Sequence, residues 1–133
     1  KILYCFLILL FSAASARAGQ VERVIDGDTV IVDGVRIRLY GIDCPERGAP
    51  YSREAHQFTE RQVIGKDIQL KVHGRDRYGR TVAEIILPDG STLGQRLTRE
   101  GLATWYKKYA PRAYDLKENE TKARNERRGI WRK

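Results

Sequence analysis

The dipeptide Asp33-Gly34 constrains this chain more than any other feature, because of what flanks it. Before it, Thr29-Val30-Ile31-Val32 is β-branched throughout, the composition of a strand. After it, Val35-Arg36-Ile37-Arg38-Leu39 alternates apolar and basic, the pattern of a half-buried strand. Asp-Gly between two such runs favours a two-residue hairpin. That loop length fixes the register: residue 32 faces 35, and residue 28 faces 39.

The remaining elements follow from the same kind of pattern. Val21 to Ile25 reads as a short strand, ended by the turn Asp26-Gly27-Asp28. Residues 41–50, GIDCPERGAP, are loop. Tyr51 to Ile64 reads as a helix with Ser52 as cap, and Ile68, Leu70 and Val72 alternate as a fourth strand. Asp76-Arg77-Tyr78-Gly79 is a turn, and Thr81 to Leu87 a fifth strand. Ser91 to Glu100 is a second helix, with Gly101 as its stop. Residues 102–114 are aromatic and basic without period. Asp115 to Arg128 is a polar third helix, and Ile130 and Trp131 pin its end. The order β-β-β-α-β-β-α-α predicts a mainly β, α+β domain over 19–133. Five short strands lose their open edges by closing into a small barrel. The expected fold is therefore a five-stranded OB-fold barrel with three helices.

Residues 1–18, KILYCFLILLFSAASARA, precede that domain. A lysine, an apolar run from Ile2 to Phe11 and Ala16-Arg17-Ala18 match a secretory signal peptide cleaved before Gly19. The run is about ten residues, short of the roughly 20 that span a bilayer. The expectation is an exported chain, secreted or periplasmic, with no stable membrane association and acting as a monomer.

Lys and Arg number 25 against 17 Asp and Glu, a net charge of +8. Such an excess favours a polyanionic partner. Two Cys and two His are too few for a disulfide framework or a Cys/His zinc site. Phosphate-loop, dinucleotide-binding and α/β-hydrolase fingerprints are absent from the sequence.

Three acids gather near the first corner. The hairpin register sets Asp28 opposite Leu39, and Asp43 and Glu46 follow just beyond. Packed carboxylates repel one another, and a hard cation such as Ca²⁺ would relieve this. Asp26-Gly27-Asp28 alone equally describes a plain turn. Arg38 ends the third strand and Arg80 follows the 76–79 turn, and a guanidinium fork suits phosphate oxygens. Strict alternation sets Arg38 on the face away from Asp28, so a bulge or sharp twist is expected at this corner. His56 and His73 read as surface or packing residues, and Cys44, without an activating His, is not a nucleophile.

I-D-G-D-T-V at 25–30, R-L-Y-G-I-D-C-P-E at 38–46, D-R-Y-G-R at 76–80, G-L-A at 101–103 and I-W at 130–131 run in order along the chain. As a set they resemble the thermonuclease (staphylococcal nuclease) family, from about residue 21 to 131. The resemblance implies an OB-fold, Ca²⁺-dependent phosphodiesterase acting on DNA and RNA, single-stranded or locally opened. It implies that Asp28, Asp43 and the backbone carbonyl of Cys44 hold the metal. It implies a catalytic trio of Arg38, Glu46 and Arg80, and substrate contacts by Tyr78 and Tyr109. It further implies 3′-phosphate and 5′-hydroxyl ends. The sequence departs from the family at Lys107, where a tyrosine is usual. The competing expectation is a non-catalytic OB-fold module that binds single-stranded nucleic acid by a basic groove and aromatics.

Overall fold

A computed structural model describes residues 17–133. The residues before Arg17, including most of the expected leader, lie outside the described part. The hairpin forms as its sequence requires. Asp33 and Gly34 both take positive φ, 48° and 73°, the backbone of a tight two-residue turn. Strand β3 (Thr29–Val32) and strand β4 (Val35–Leu39) pair antiparallel with Val32 opposite Val35 and Thr29 opposite Arg38. The Leu39 N–H donates to the Asp28 carbonyl at 2.9 Å, so residue 28 does face residue 39.

Before the hairpin come β1 (Arg17–Gly19) and β2 (Val21–Asp26). After it come β5 (Ile42–Asp43), α1 (Ser52–Val63), β6 (Ile68–Arg75) and β7 (Thr81–Ile86). The chain ends with α2 (Leu93–Arg99), β8 (Thr104–Trp105), α3 (Tyr114–Asn125) and a 3₁₀ turn at Gly129–Trp131. The main sheet has six strands in the order β1-β6-β7-β4-β3-β2, and β5 pairs β8 in a second ladder. All its pairs are antiparallel except β4 with β7, so the sheet is mixed.

This corrects the expected topology in two ways. The ladders describe a six-stranded sheet and a two-stranded one rather than a single sheet of five strands. Three further strands, β1, β5 and β8, are two or three residues each and carry no alternation to read. The sheet's two edge strands, β1 and β2, are nevertheless consecutive, with Gln20 alone between them.

The inward strand positions Val30, Val32, Ile37, Leu39, Ile68 and Ile85 form one core with Ala55 and Val63 of α1 and Leu93 and Leu97 of α2. Ser52 does not cap α1: Tyr51 holds that place with φ 69° and no side-chain bond. Thr92 caps α2 instead. Its hydroxyl accepts from the Gln95 N–H, and the Gln95 side chain accepts from the Thr92 N–H, the reciprocal capping box. No helix of the described residues is long and apolar enough to cross a membrane.

The C-terminal segment is clasped to the body at Gly101. The Ile130 N–H donates to the Gly101 carbonyl at 2.9 Å, and Trp131 lies under the Arg124 guanidinium at 4.0 Å. Gly101 has φ 71°, and a Cβ added there would stand 2.3 Å from the Arg128 carbonyl oxygen. Gly101→Ala is therefore expected to destabilise the fold by about 2–4 kcal/mol, from backbone strain and overpacking together. A lowered urea midpoint with an unchanged slope reads this out. An unchanged midpoint would mean that the clasp does not hold in solution.

Candidate active site

Arg38 organises the corner where β4 ends. The chain turns at Tyr40-Gly41 and runs back as β5, so the backbone of residues 39–43 wraps the arginine's end. Its guanidinium donates to the Leu39 carbonyl at 3.1 Å and to the Ile42 carbonyl at 2.9 Å. It also pairs with Asp28 at 3.5 Å and with Asp43 at 3.1 Å. β5 is held in place by β8 through Ile42 opposite Trp105 and Asp43 opposite Thr104. The short second ladder thus fixes one carboxylate of the site.

The β3–β4 ladder carries no bulge. The irregularities lie in β2, between Val21 and Arg23 and between Val24 and Asp26. Arg38 reaches Asp28 for a simpler reason. Asp28 belongs to the turn before β3 and is not bound by strand alternation, and the arginine is long enough to pass round the strand end.

Asp28 is buried, 9% exposed, and both its carboxylate oxygens are engaged. Besides Arg38, its carboxylate accepts from the Cys44 N–H at 2.9 Å and the Thr29 hydroxyl at 3.1 Å. Asp43 is more open. Partial burial pushes its carboxyl above the usual range; Arg38 pulls it down, and Asp28 and Glu46 push it up again, leaving it raised. The three acids therefore sense one another, as the hairpin argument expects. They do not converge, however. Glu46 is exposed, and among the described residues no three His, Cys, Asp or Glu side chains stand close enough to hold one ion.

Cys44 is buried, with its sulfur turned to the core. A Cβ at Gly27 would meet that sulfur at 3.0 Å. Burial and the neighbouring Asp28 raise its thiol well above the ordinary value, so it stays neutral and is not a nucleophile. Its side chain is no ligand, which leaves the backbone carbonyl as its only donor.

On the other side of Arg38 opens a cleft of about 550 Å³. Arg38, Arg80, Tyr78, Tyr106, Tyr109 and His73 all line it. Arg80 is fixed from the 76–79 turn: its Nε donates to Asp76 at 2.7 Å, and its N–H to the same carboxylate at 2.9 Å. Burial raises Asp76, but the bonds from Arg80 and from the Tyr78 N–H outweigh it and hold the carboxyl below its usual range. The turn is thus a scaffold that aims Arg80. Tyr78 is 69% exposed, with the Arg77 and Arg80 guanidinium groups 5.0 and 5.4 Å from its ring. Tyr109 is also open to solvent.

The structure therefore brings Arg38, Arg80, Tyr78 and Tyr109 to one cleft, and Asp28 and Asp43 to its rear through Arg38. Glu46 stands outside the cleft lining. Two cleft residues escape sequence reasoning. Tyr106 packs edge-on to Tyr109 at 4.7 Å, one residue before the departure at Lys107, in a segment without period. His73 stacks on Tyr40 at 3.6 Å and bonds to Glu84 at 2.8 Å; its place on β6 gives no signal of this. His56 instead is a packing residue, bonded to the Val24 carbonyl at 3.1 Å.

Fixed guanidinium groups and open aromatic faces beside hard carboxylates are the kinds of group that suit phosphate esters and aromatic bases. Comparison with known proteins makes this specific. The family described as staphylococcal nuclease homologue matches residues 36–133. An uncharacterized endonuclease of Escherichia coli O157:H7 is 38% identical over 118 residues, covering 85% of this chain and 76% of the relative. The thermonuclease of Staphylococcus hyicus is 34% identical, covering 90% of this chain and 79% of its own. The micrococcal nuclease of Shigella flexneri is 33% identical, covering 94% and 79%. The chain belongs to the staphylococcal nuclease family.

Proposed function

We propose that the chain is an exported, Ca²⁺-dependent endonuclease that hydrolyses phosphodiester bonds of DNA and RNA. The observation that carries this is the joint arrangement at Arg38, which links two hard carboxylates to a cleft shared with Arg80 and four tyrosines. A module that only binds has no use for Asp28, Asp43, Glu46, Arg38 and Arg80 together.

The donor set fits a hard cation in part. Asp28 and Asp43 offer carboxylate oxygens, and Cys44, next to Asp43 in the chain and bonded through its N–H to Asp28, offers a carbonyl. These residues would hold Ca²⁺, which would supply positive charge against the phosphoryl oxygens. The chain's own residues do the rest. Tyr78 and Tyr109 orient the nucleotide on either side of the cleft. Arg38 and Arg80 offset the charge that grows on the phosphate as the bond to the nucleophile forms. Glu46 orients the attacking water and accepts its proton. Departure of the 5′ oxygen leaves 3′-phosphate and 5′-hydroxyl ends. Single-stranded or opened substrate is preferred because an open tyrosine needs an unpaired base to stack on.

Chelation tests the metal. Turnover of DNA and RNA should vanish in excess chelator and return with Ca²⁺, and Asp28→Asn should weaken the Ca²⁺ response. Full turnover in chelator would overturn the metal assignment. Export is tested separately by sequencing the N-terminus of exported material. It should begin at Gly19; an intact membrane-held chain would make the segment an anchor instead.

A further inference from the structure

A second basic feature continues from the cleft across the outer face of the sheet. In the register of β2, β3 and β4, Arg23 lies opposite Ile31, and Ile31 opposite Arg36. β4 and β7 pair in parallel with Ile37 beside Thr81. One step back along that register sets Arg36 beside Arg80. Arg23, Ile31 and Arg36 thus form one row across β2, β3 and β4, continued by Arg80 at the residue before β7. Paired residues share a face of the sheet, and Arg23 and Arg36 are both exposed.

Neither arginine is spoken for. Among the described residues, neither Arg23 nor Arg36 makes an ion pair, whereas their neighbours Arg38 and Arg80 both do. The acid nearest this row along β2, Glu22, is turned to the hairpin, where it accepts from the Gly34 N–H at 3.0 Å. The row also has relief. Arg36, Tyr78, Gly79 and Arg80 line a hollow of about 600 Å³. Tyr78 and Arg80 line both this hollow and the cleft, so Tyr78 is the ridge between them.

From this we infer that the row Arg80–Arg36–Arg23 is a track for the single strand flanking the bond to be cut. The strand leaves the cleft over Tyr78 and lays its phosphates along the two unpaired arginines. Three strand spacings are about 14 Å, room for a few nucleotides of extended strand. Charge complementarity and continuity with the cleft fix the occupant as more of the same nucleic acid. Ile31, half-buried between the arginines, gives a base an apolar seat. This inference rests on the nuclease reading for the identity of the ligand, and its test separates the two.

The probes are a labelled 12-nucleotide oligothymidylate, titrated by anisotropy in chelator from low to moderate salt, and a dinucleotide cleaved in Ca²⁺. The variant is R23Q/R36Q. The control, R61Q/R132Q, removes the same charge from α1 and the C-terminus. R23Q/R36Q should bind the 12-mer roughly tenfold more weakly at low salt. Its slope of log affinity against log salt should shrink by about 1.4, at about 0.7 for each phosphate contact on a single strand. Dinucleotide turnover should stay within about twofold of wild type, because two nucleotides do not reach the track. The control should keep the wild-type slope. An unchanged slope in R23Q/R36Q overturns the track, and so does an equal loss in the control. If the wild type cleaves neither the dinucleotide nor, once Ca²⁺ replaces the chelator, the 12-mer, while R23Q/R36Q still loses slope, the track stands and the nuclease reading falls.

Discussion

Arg38→Lys should lower kcat by about 10²–10³-fold, the loss typical of one preorganised charge partner. The reason is the number of directions in which Arg38 works. It donates to two carbonyls, Leu39 and Ile42, and pairs with two carboxylates, Asp28 and Asp43. A lysine ammonium is a point charge with three donors and no planar fork. It cannot hold four partners across that corner and still face the cleft. Arg127→Lys, exposed near the C-terminus, is the control and should change little. Single-turnover kinetics on a short oligonucleotide separate the chemical step from binding. Wild-type kcat in the Arg38→Lys protein would show that this arginine is only structural.

Glu46→Gln is the second large expectation, a fall in turnover of about 10²–10⁴-fold. The side chain is exposed and makes no hydrogen bond among the described residues, while its backbone carbonyl accepts from the Ala49 N–H at 2.9 Å. The loop is therefore held by backbone, and exchanging the carboxylate for an amide leaves it in place. Fold and DNA affinity should survive, since the removed charge is negative. Retained cleavage in this variant would move the water-orienting role to another residue. Loss of DNA binding together with cleavage would make Glu46 a positioning residue for the loop.

The sequence carries the hairpin, its register and the helices well, because these depend on local rules. Asp33-Gly34 has a single favourable turn, and alternation from Val35 to Leu39 leaves one choice of buried face. What it hides depends on contacts distant in the chain. β5 and β8 are two residues each, and Asp43 pairs with Thr104 across some sixty residues of chain. No periodicity marks so short a strand. The Arg38 reach is hidden for a related reason. Alternation treats residue 28 as a strand position, whereas the turn at 26–28 frees it. Tyr106 joins the cleft because the loop after β8 folds back on itself, with the Tyr109 and Ala110 N–H groups both donating to the Tyr106 carbonyl at 3.1 Å. Composition gives the aromatics of that loop but not their direction.

The one-residue link at Gln20 has a consequence for solubility. β1 and β2 end the strand order on either side yet stand one residue apart, so the sheet curls round, and the chain supplies its own covering for the rim of β6 through Arg17 on Leu70, Ala18 on Gln69 and Gly19 on Ile68. An unpaired rim is where a foreign extended segment adds and where association begins. Trimming at Gly19 would remove two of those three pairings. The backbone of residues 69 and 70 would then be free, beside an exposed Val72. The charges left to discourage stacking there are Lys71 and Arg75, both exposed. Such trimming would thus hand the task of keeping molecules apart from hydrogen bonding to like-charge repulsion. A chain trimmed at Gly19 should therefore self-associate more readily as salt rises.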